Sequence, residues 1–246
     1  MVQMHLDRFT ANALSISRRK AGEIIKRGQV LLNEESVTDP AVMVNPTLDK
    51  ITVNGEYLSV NPVKLYYALY KPKGVVCTSD DPKGRPTIFN FIRKKKLNLH
   101  SVGRLDFWSE GLILLTNDGE FTNRVIHPSF KVAKAYSLKV DGLLTEKVVA
   151  RLKRGVPVDN RPVRPFIIER LTPLKSNTRL DVVIFEGRNR ILRRVFDILH
   201  FPVMSLTRTR IGIISLKGLK PGEYRELKKA EIDYFMEKNK DGKRKS

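Results

Sequence analysis

From Leu65 onward the chain alternates apolar runs of strand composition with helical ones, an arrangement that folds into mixed α and β layers around a substantial sheet. The strand-like runs are Leu65–Tyr70, Gly111–Thr116, Ala135–Val140, Arg179–Phe185 and Val203–Thr207. Thr145 is placed to cap a helix over Glu146–Arg154 that Gly155 closes, and Asn189 opens a helix through His200 that Pro202 stops. In the latter, Ile191, Val195, Ile198 and Leu199 follow the spacing of a buried stripe. That leaves Arg190, Arg193, Arg194 and Asp197 facing solvent, a cleft or a polyanion.

A smaller unit precedes this region. Leu6, Phe9 and Ala13 recur at helical spacing, and Ser17 precedes a second helical run, Arg18–Lys26, ended by Gly28 in the C-cap position. Gln29–Asn33 and Asp49–Gly55 have strand composition, with Asn54-Gly55 as a hairpin-like turn. Val60-Asn61-Pro62-Val63-Lys64 reads as a linker, and from Lys238 the basic tail has no apolar residue with which to order itself. The expected fold class is α+β, with a helix-pair and sheet domain at 1–60, a linker at 61–64, a larger mixed domain at 65–236 and a tail at 237–246.

Charge narrows the partners. The 246 residues carry a net +20, yet residues 1–60 hold seven basic and seven acidic groups, so the whole excess falls on the larger domain. A polyanionic partner is expected. Nucleic acid is preferred to membrane, because no apolar run approaches the roughly 18 residues of a spanning helix. The opening Met1–Asp7 lacks a signal layout, and the single cysteine, Cys77, fits a reducing compartment. The expected location is a bacterial cytoplasm or an organellar matrix. His5, His100, His127 and His200 are scattered without ligand spacing, which gives a metal site no support.

Within the neutral first domain, Arg18, Arg19, Lys20, Lys26 and Arg27 put five cations in ten residues. They read either as a phosphate-gripping helix face or as a solvated one. The run Arg93-Lys94-Lys95-Lys96 is open to the same pair of readings.

The segment richest in chemistry is Gly103-Arg104-Leu105-Asp106-Phe107-Trp108-Ser109-Glu110-Gly111-Leu112-Ile113-Leu114-Leu115-Thr116-Asn117-Asp118-Gly119. It sets a carboxylate in a loop ahead of a wholly apolar strand, the kind of rigid mount on which active-site groups often sit. By residue type alone, Asp106 is either a reactive carboxylate or a loop carboxylate paired with Arg104.

This segment resembles the signature of the RsuA-like ribosomal RNA pseudouridine synthases. Tyr70-Lys71-Pro72-Lys73-Gly74-Val75 before it and Glu186-Gly187-Arg188-Asn189-Arg190-Ile191-Leu192-Arg193-Arg194 after it agree with the same family in order. Leu6-Asp7-Arg8-Phe9 and Ser17–Val30 look like its small alpha-L RNA-binding domain, so the resemblance spans roughly residues 4 to 235. It implies a cofactor-free isomerase with a largely antiparallel sheet, acting on ribosomal RNA of the 23S or 16S type. No metal or obligate protein partner is implied, and a monomer is the default.

By that resemblance Asp106 is the catalytic carboxylate, attacking the sugar or the uracil ring or assisting elimination. Arg193 keeps it ionised and oriented, and Tyr136, within Lys134-Ala135-Tyr136, stacks on the target base. Arg104 is implied to fill the space of the extruded base, and Leu192 to line its pocket; Arg188 and Arg190 either bind phosphates or complete the fold. Trp108, Ser109 and Ile191 depart from the family pattern, which more often has Asp, Thr and Gln there. Two rivals remain: a ribosome-binding module without catalysis, and a metal-dependent nuclease using Asp106, Asp118 and Glu186.

Overall fold

A computed structural model describes residues 3–14, 16–58, 63–79, 81–92, 99–163 and 166–237. Asn61 and Pro62 of the expected linker, the Arg93–Lys96 run and the tail from Lys238 lie outside the described residues. Two compact units divide the chain, the first running to Lys64 and including Leu99, the second beginning at Leu65 and resuming at His100.

The first unit comprises β1 (Met4–His5), α1 (Leu6–Leu14), α2 (Arg18–Lys26), β2 (Val30–Leu32), β3 (Glu35–Val37), β4 (Met43–Val44), β5 (Ile51–Val53) and β6 (Glu56–Tyr57). Four strands pair in the order β3-β2-β5-β6, and β1 pairs separately with β4. Ser17 caps α2 by accepting from the Lys20 amide at 3.2 Å. The C-cap is Arg27, one position before the expected Gly28, which follows it with φ of 70°. Leu6, Phe9, Ile25, Val30, Ile51 and Val53 close one apolar core between the helices and the sheet. The β5–β6 turn is Asn54-Gly55, with φ of 51° and 82°. The β2–β3 turn places Asn33 and Glu34 at 51° and 76°, so this hairpin has a glutamate where a turn signal would ordinarily show glycine.

The second unit begins with β7 (Tyr66–Lys71), β8 (His100–Val102), β9 (Glu110–Thr116), α3 (Gly119–Ile126) and β10 (Lys134–Asp141). It continues with α4 (Glu146–Arg154), β11 (Pro157–Val158), β12 (Arg161–Pro162), β13 (Phe166–Pro173), β14 (Asn177–Ile184) and α5 (Ile191–Ile198). β15 (Val203–Ile211), β16 (Ile214–Ser215), β17 (Tyr224–Glu226) and α6 (Lys229–Glu237) complete it. The main sheet runs β13-β14-β10-β15-β9-β7-β17, with β16 on β15 and β8 on β9. Its pairings among the described residues are antiparallel except β15 with β9, where Thr207 faces Glu110 and Arg208 faces Gly111. One apolar cluster packs α4 and α5 on the sheet through Leu152, Val195 and Phe196; another packs α3 and α6 through Phe121, Val125 and Phe235.

Thr145 caps α4, accepting from Val148 N, and Gly155 is its C-cap, as the local sequence predicts. α5 differs from expectation. It starts at Ile191 behind Arg190, whose φ is 48°, and its buried face is Ile191, Leu192, Val195, Phe196 and Leu199, while Ile198 is 39% exposed. The stripe is rotated because β10 and β14 side chains receive Phe196, a larger apolar group than Ile198. β13 escapes the sequence reading because it is the sheet's edge and alternates only weakly. α3 escapes because Asp118, read as part of a turn, is its N-cap, accepting from Glu120 N at 2.9 Å and Phe121 N at 3.4 Å. Among the described residues no helix is long and apolar enough to cross a membrane.

Candidate active site

The parallel seam between β9 and β15 sets the site. A Cβ on Gly111 would lie 2.3 Å from the Arg208 carbonyl oxygen and 2.6 Å from its amide nitrogen, so only glycine lets the two backbones approach this closely. The loop Gly103–Ser109 enters β9 at that point. Ser109 N donates to Asp106 O at 3.0 Å, which makes Asp106-Phe107-Trp108-Ser109 a tight turn.

Lys71, fully buried at the end of β7, anchors this loop. Its Nζ donates to Pro72 O at 2.8 Å and Val75 O at 2.9 Å, and reaches Phe107 O at 3.5 Å. Three carbonyls thus meet the three donors of a buried ammonium, the condition under which such a charge is tolerated. Burial lowers the Lys71 pKa; Cys77, Asp106 and Glu110 oppose the shift, and Arg208 adds to it. Gly74 N donates to Phe107 O at 2.9 Å, and Cys77 Sγ lies 3.3 Å from both Leu105 N and Leu105 O. The backbone of the Asp106 loop is therefore clamped from the β7 side by Lys71 Nζ, Gly74 N and Cys77 Sγ.

In front of the seam opens a cavity of about 510 Å³. Asp106 is half-buried at its wall, with Arg104 exposed nearby and Tyr136 buried on β10. Leu192, Arg188 and Arg190 also line it, supplied by the loop before α5 and its first turn. The cavity thus brings together six of the seven catalytic and substrate-binding residues expected from sequence. The seventh, Arg193, is not part of its wall. Its Nη1 donates to Val203 O at 2.9 Å and its Nε is buried without a hydrogen-bond partner among the described residues. Burial and then Arg190 lower the Arg193 pKa, against the opposing charges of Asp106 and Asp197. Arg193 and Lys71 are thus each in electrostatic contact with Asp106.

Arg188 is largely occupied: it pairs with Glu186 and donates to Val158 O at 2.6 Å and Arg161 O at 3.1 Å. Arg190 is exposed. Asp118 accepts from Tyr66 Oη at 2.8 Å besides capping α3, and Glu186 is held by Arg188. Among the described residues no three His, Cys, Asp or Glu side chains gather in a metal-binding cluster.

Two buried cations of the cavity wall are absent from the site residues expected from sequence, although Lys134 belongs to the Lys134-Ala135-Tyr136 stretch. Lys134 is 8% exposed and donates to Val132 O at 3.2 Å; burial and then Arg208 hold its pKa at about 8. Arg208 is 4% exposed, its Nε donates to Leu112 O at 2.7 Å, and its Nη2 has no partner among the described residues. Tyr136 faces Arg208 directly across the β10–β15 ladder.

In the first unit Arg18 forks onto Asp7 at 2.7–3.1 Å, stapling α2 to α1, and Arg19 lies 3.5 Å from Glu23. Lys20 in the first turn of α2, and Lys26 and Arg27 at its C-terminal end, are exposed.

A mixed sheet carrying a clamped loop carboxylate, a buried tyrosine and a wall of cations defines a catalytic unit for an anionic substrate, and the family comparisons identify which. Residues 65–197 match the model described as RNA pseudouridylate synthase, and residues 4–49 match the S4 domain. The ribosomal large subunit pseudouridine synthase B of Bacillus subtilis is 37% identical over 230 residues, covering 92% of this chain and 93% of that protein. Its namesake in Salmonella typhimurium is 37% identical over 237 residues, covering 94% and 81%. A crystal structure of a pseudouridylate synthase superimposes with a TM-score of 0.67 at 32% identity, covering 94% of this chain and 99% of that one. The chain belongs to the RNA pseudouridine synthase family, in keeping with the RsuA-like resemblance, and carries an RNA-binding S4 domain ahead of the enzyme domain.

Proposed function

We propose that this enzyme isomerises one uridine of ribosomal RNA, in the large subunit, with Asp106 as the nucleophilic carboxylate acting on a flipped-out base. The observation that carries this reading is the half-buried Asp106 at the wall of a nucleoside-sized cavity, with Tyr136 on the same wall and Arg193 in electrostatic contact. The large subunit is favoured by the names of the Bacillus and Salmonella relatives.

The reaction is an isomerisation. The bond from the ribose anomeric carbon to N1 breaks, a bond to C5 forms, C5 loses a proton and N1 gains one, so no oxidant or co-substrate is consumed. Asp106 assists the detachment, by attack on the sugar or the ring or by elimination. Arg193 and Lys71 supply positive charge around it. Tyr136 stacks on the base and stands where a proton can be passed, while Leu192 supplies an apolar face. Arg104, exposed beside the cavity, takes the place that the extruded base leaves in the RNA. The exposed Lys20, Lys26 and Arg27 of the S4 domain contact phosphates.

The test is pseudouridine mapping of ribosomal RNA from cells lacking the gene, complemented with wild type or Asp106→Asn. One large-subunit site lost and restored only by wild type supports the proposal. An unchanged map, with RNA binding intact, favours a binding module.

A further inference from the structure

We infer that Trp108 is a stacking platform for an unpaired base that flanks the target uridine in the substrate RNA. The inference rests on the proposed activity and specifies which part of the RNA that site recognises besides the target.

Trp108 is the sole tryptophan of the chain and is 66% exposed, although it stands only two residues from Asp106. Burying a ring of this size in a core is worth a great deal, and exposed aromatic surface is what ligands take up. It occupies the third position of the turn that Ser109 N closes on Asp106 O. Phe107 meets it edge-on, with centroids 4.8 Å apart and planes at 78°. Phe107 is itself fixed, its carbonyl held by Gly74 N and its ring covered by the Arg85 guanidinium at 5.6 Å. The indole is therefore supported on one edge and open elsewhere, a pre-oriented surface that costs little entropy to use.

Position selects the occupant. Neither Phe107 nor Trp108 lines the cavity, whereas Arg104, Leu105, Asp106 and Ser109 of the same loop do. A nucleotide reacting at Asp106 would occupy the cavity, so the indole is presented to what continues outside it, the adjoining nucleotide. Arg104, exposed on the same loop, suits a phosphate chain, while Arg85 and Lys73 on the neighbouring loop are paired with Asp81 and Glu110. A base offers its face to an aromatic ring only when it is unstacked, so the substrate segment is a loop or single strand. Among such contacts, base on indole stacking is sequence-tolerant and is worth about tenfold in affinity.

The single tryptophan makes the test direct. Full-length protein is titrated with a ten-nucleotide oligoadenylate and with an abasic phosphodiester of equal length while the indole fluorescence is followed. Oligoadenylate should quench strongly and the abasic chain weakly. Followed by the anisotropy of end-labelled oligomers, which needs no indole, Trp108→Ala should bind oligoadenylate about tenfold more weakly and the abasic chain as before, with Trp108→Phe between. On unmodified large-subunit ribosomal RNA, Trp108→Ala should raise KM by about tenfold with kcat within about threefold, and Trp108→Phe should recover most of the loss. Equal quenching by the two oligomers, or a KM unmoved in Trp108→Ala, overturns the inference. Wild type that forms no pseudouridine would instead sink the proposed activity, and the oligoadenylate arm would still decide whether the indole stacks on bases.

Discussion

The cations of the S4 domain and those of the catalytic cavity are the same residue types put to opposite use. On α2, Arg18 and Arg19 lie at the surface against Asp7 and Glu23, and the domain as a whole is near neutrality. Around the cavity, Lys71, Lys134 and Arg208 are buried, and the hydrogen bonds that hold them run to backbone carbonyls. Surface pairs of the first kind are worth little and are screened by salt. Buried charges of the second kind are costly and are kept only where carbonyls or substrate meet them. A cation on α2 is therefore expendable for folding, and one beside the cavity is not.

The sharpest break in that comparison is at Asp106, the half-buried carboxylate at the cavity wall. Asp106→Asn should lower pseudouridine formation by at least about three orders of magnitude while the melting temperature stays within a few degrees. A variant that keeps a tenth of the activity would remove Asp106 from the nucleophile's role. Next in size is Lys71→Met, which leaves the carbonyls of Pro72, Val75 and Phe107 without their donor. Denaturant unfolding should show a loss of about 2–4 kcal/mol. A neutral result would mean that Lys71 does not anchor the loop.

Lys134 sharpens the contrast through pH. Its folded pKa, about 8, lies below the value of about 10.5 for an unfolded chain, so folding releases a proton between those limits and stability from this group rises with pH. Below pH 8 the wild type bears the full cost of a buried ammonium. The stability of Lys134→Met relative to wild type should accordingly fall by a few kcal/mol from pH 8 to 10.5. A difference that is flat with pH would refute the burial argument. The smallest effect belongs to the exposed α2 face: Lys26→Gln should leave stability within about 0.5 kcal/mol, yet reduce the slope of log affinity against log salt by about one. No change in slope would take Lys26 out of the phosphate contacts.

Legibility followed the range of the interactions. The α4 helix was readable residue by residue, because Thr145 and Gly155 act on neighbours within one turn. The Asn54-Gly55 turn was readable for the same reason, whereas the hairpin at Asn33-Glu34 was not, since its left-handed glutamate is imposed by strands that pair anyway. In α5 the periodicity was right in kind and rotated in detail. Which of Phe196 and Ile198 is buried depends on the sheet beneath it. For the site, motif order was enough to single out Asp106, Tyr136 and Leu192, while the occupation of Arg188 by Glu186 and two carbonyls needed coordinates.

By itself the sequence determined that a neutral two-helix RNA-binding unit precedes a strongly basic α and β enzyme domain with a loop carboxylate at its centre. Those properties reside in composition, caps and contiguous motifs. Only the tertiary structure decided that β9 runs beside β15, with Thr207 donating to Glu110 across 97 residues and Arg208 against Gly111. It also decided that Lys71, Lys134 and Arg208 are buried while Trp108 is not. A lysine in a chain carries no mark of the dielectric it will occupy; that is set by which distant strands close over it.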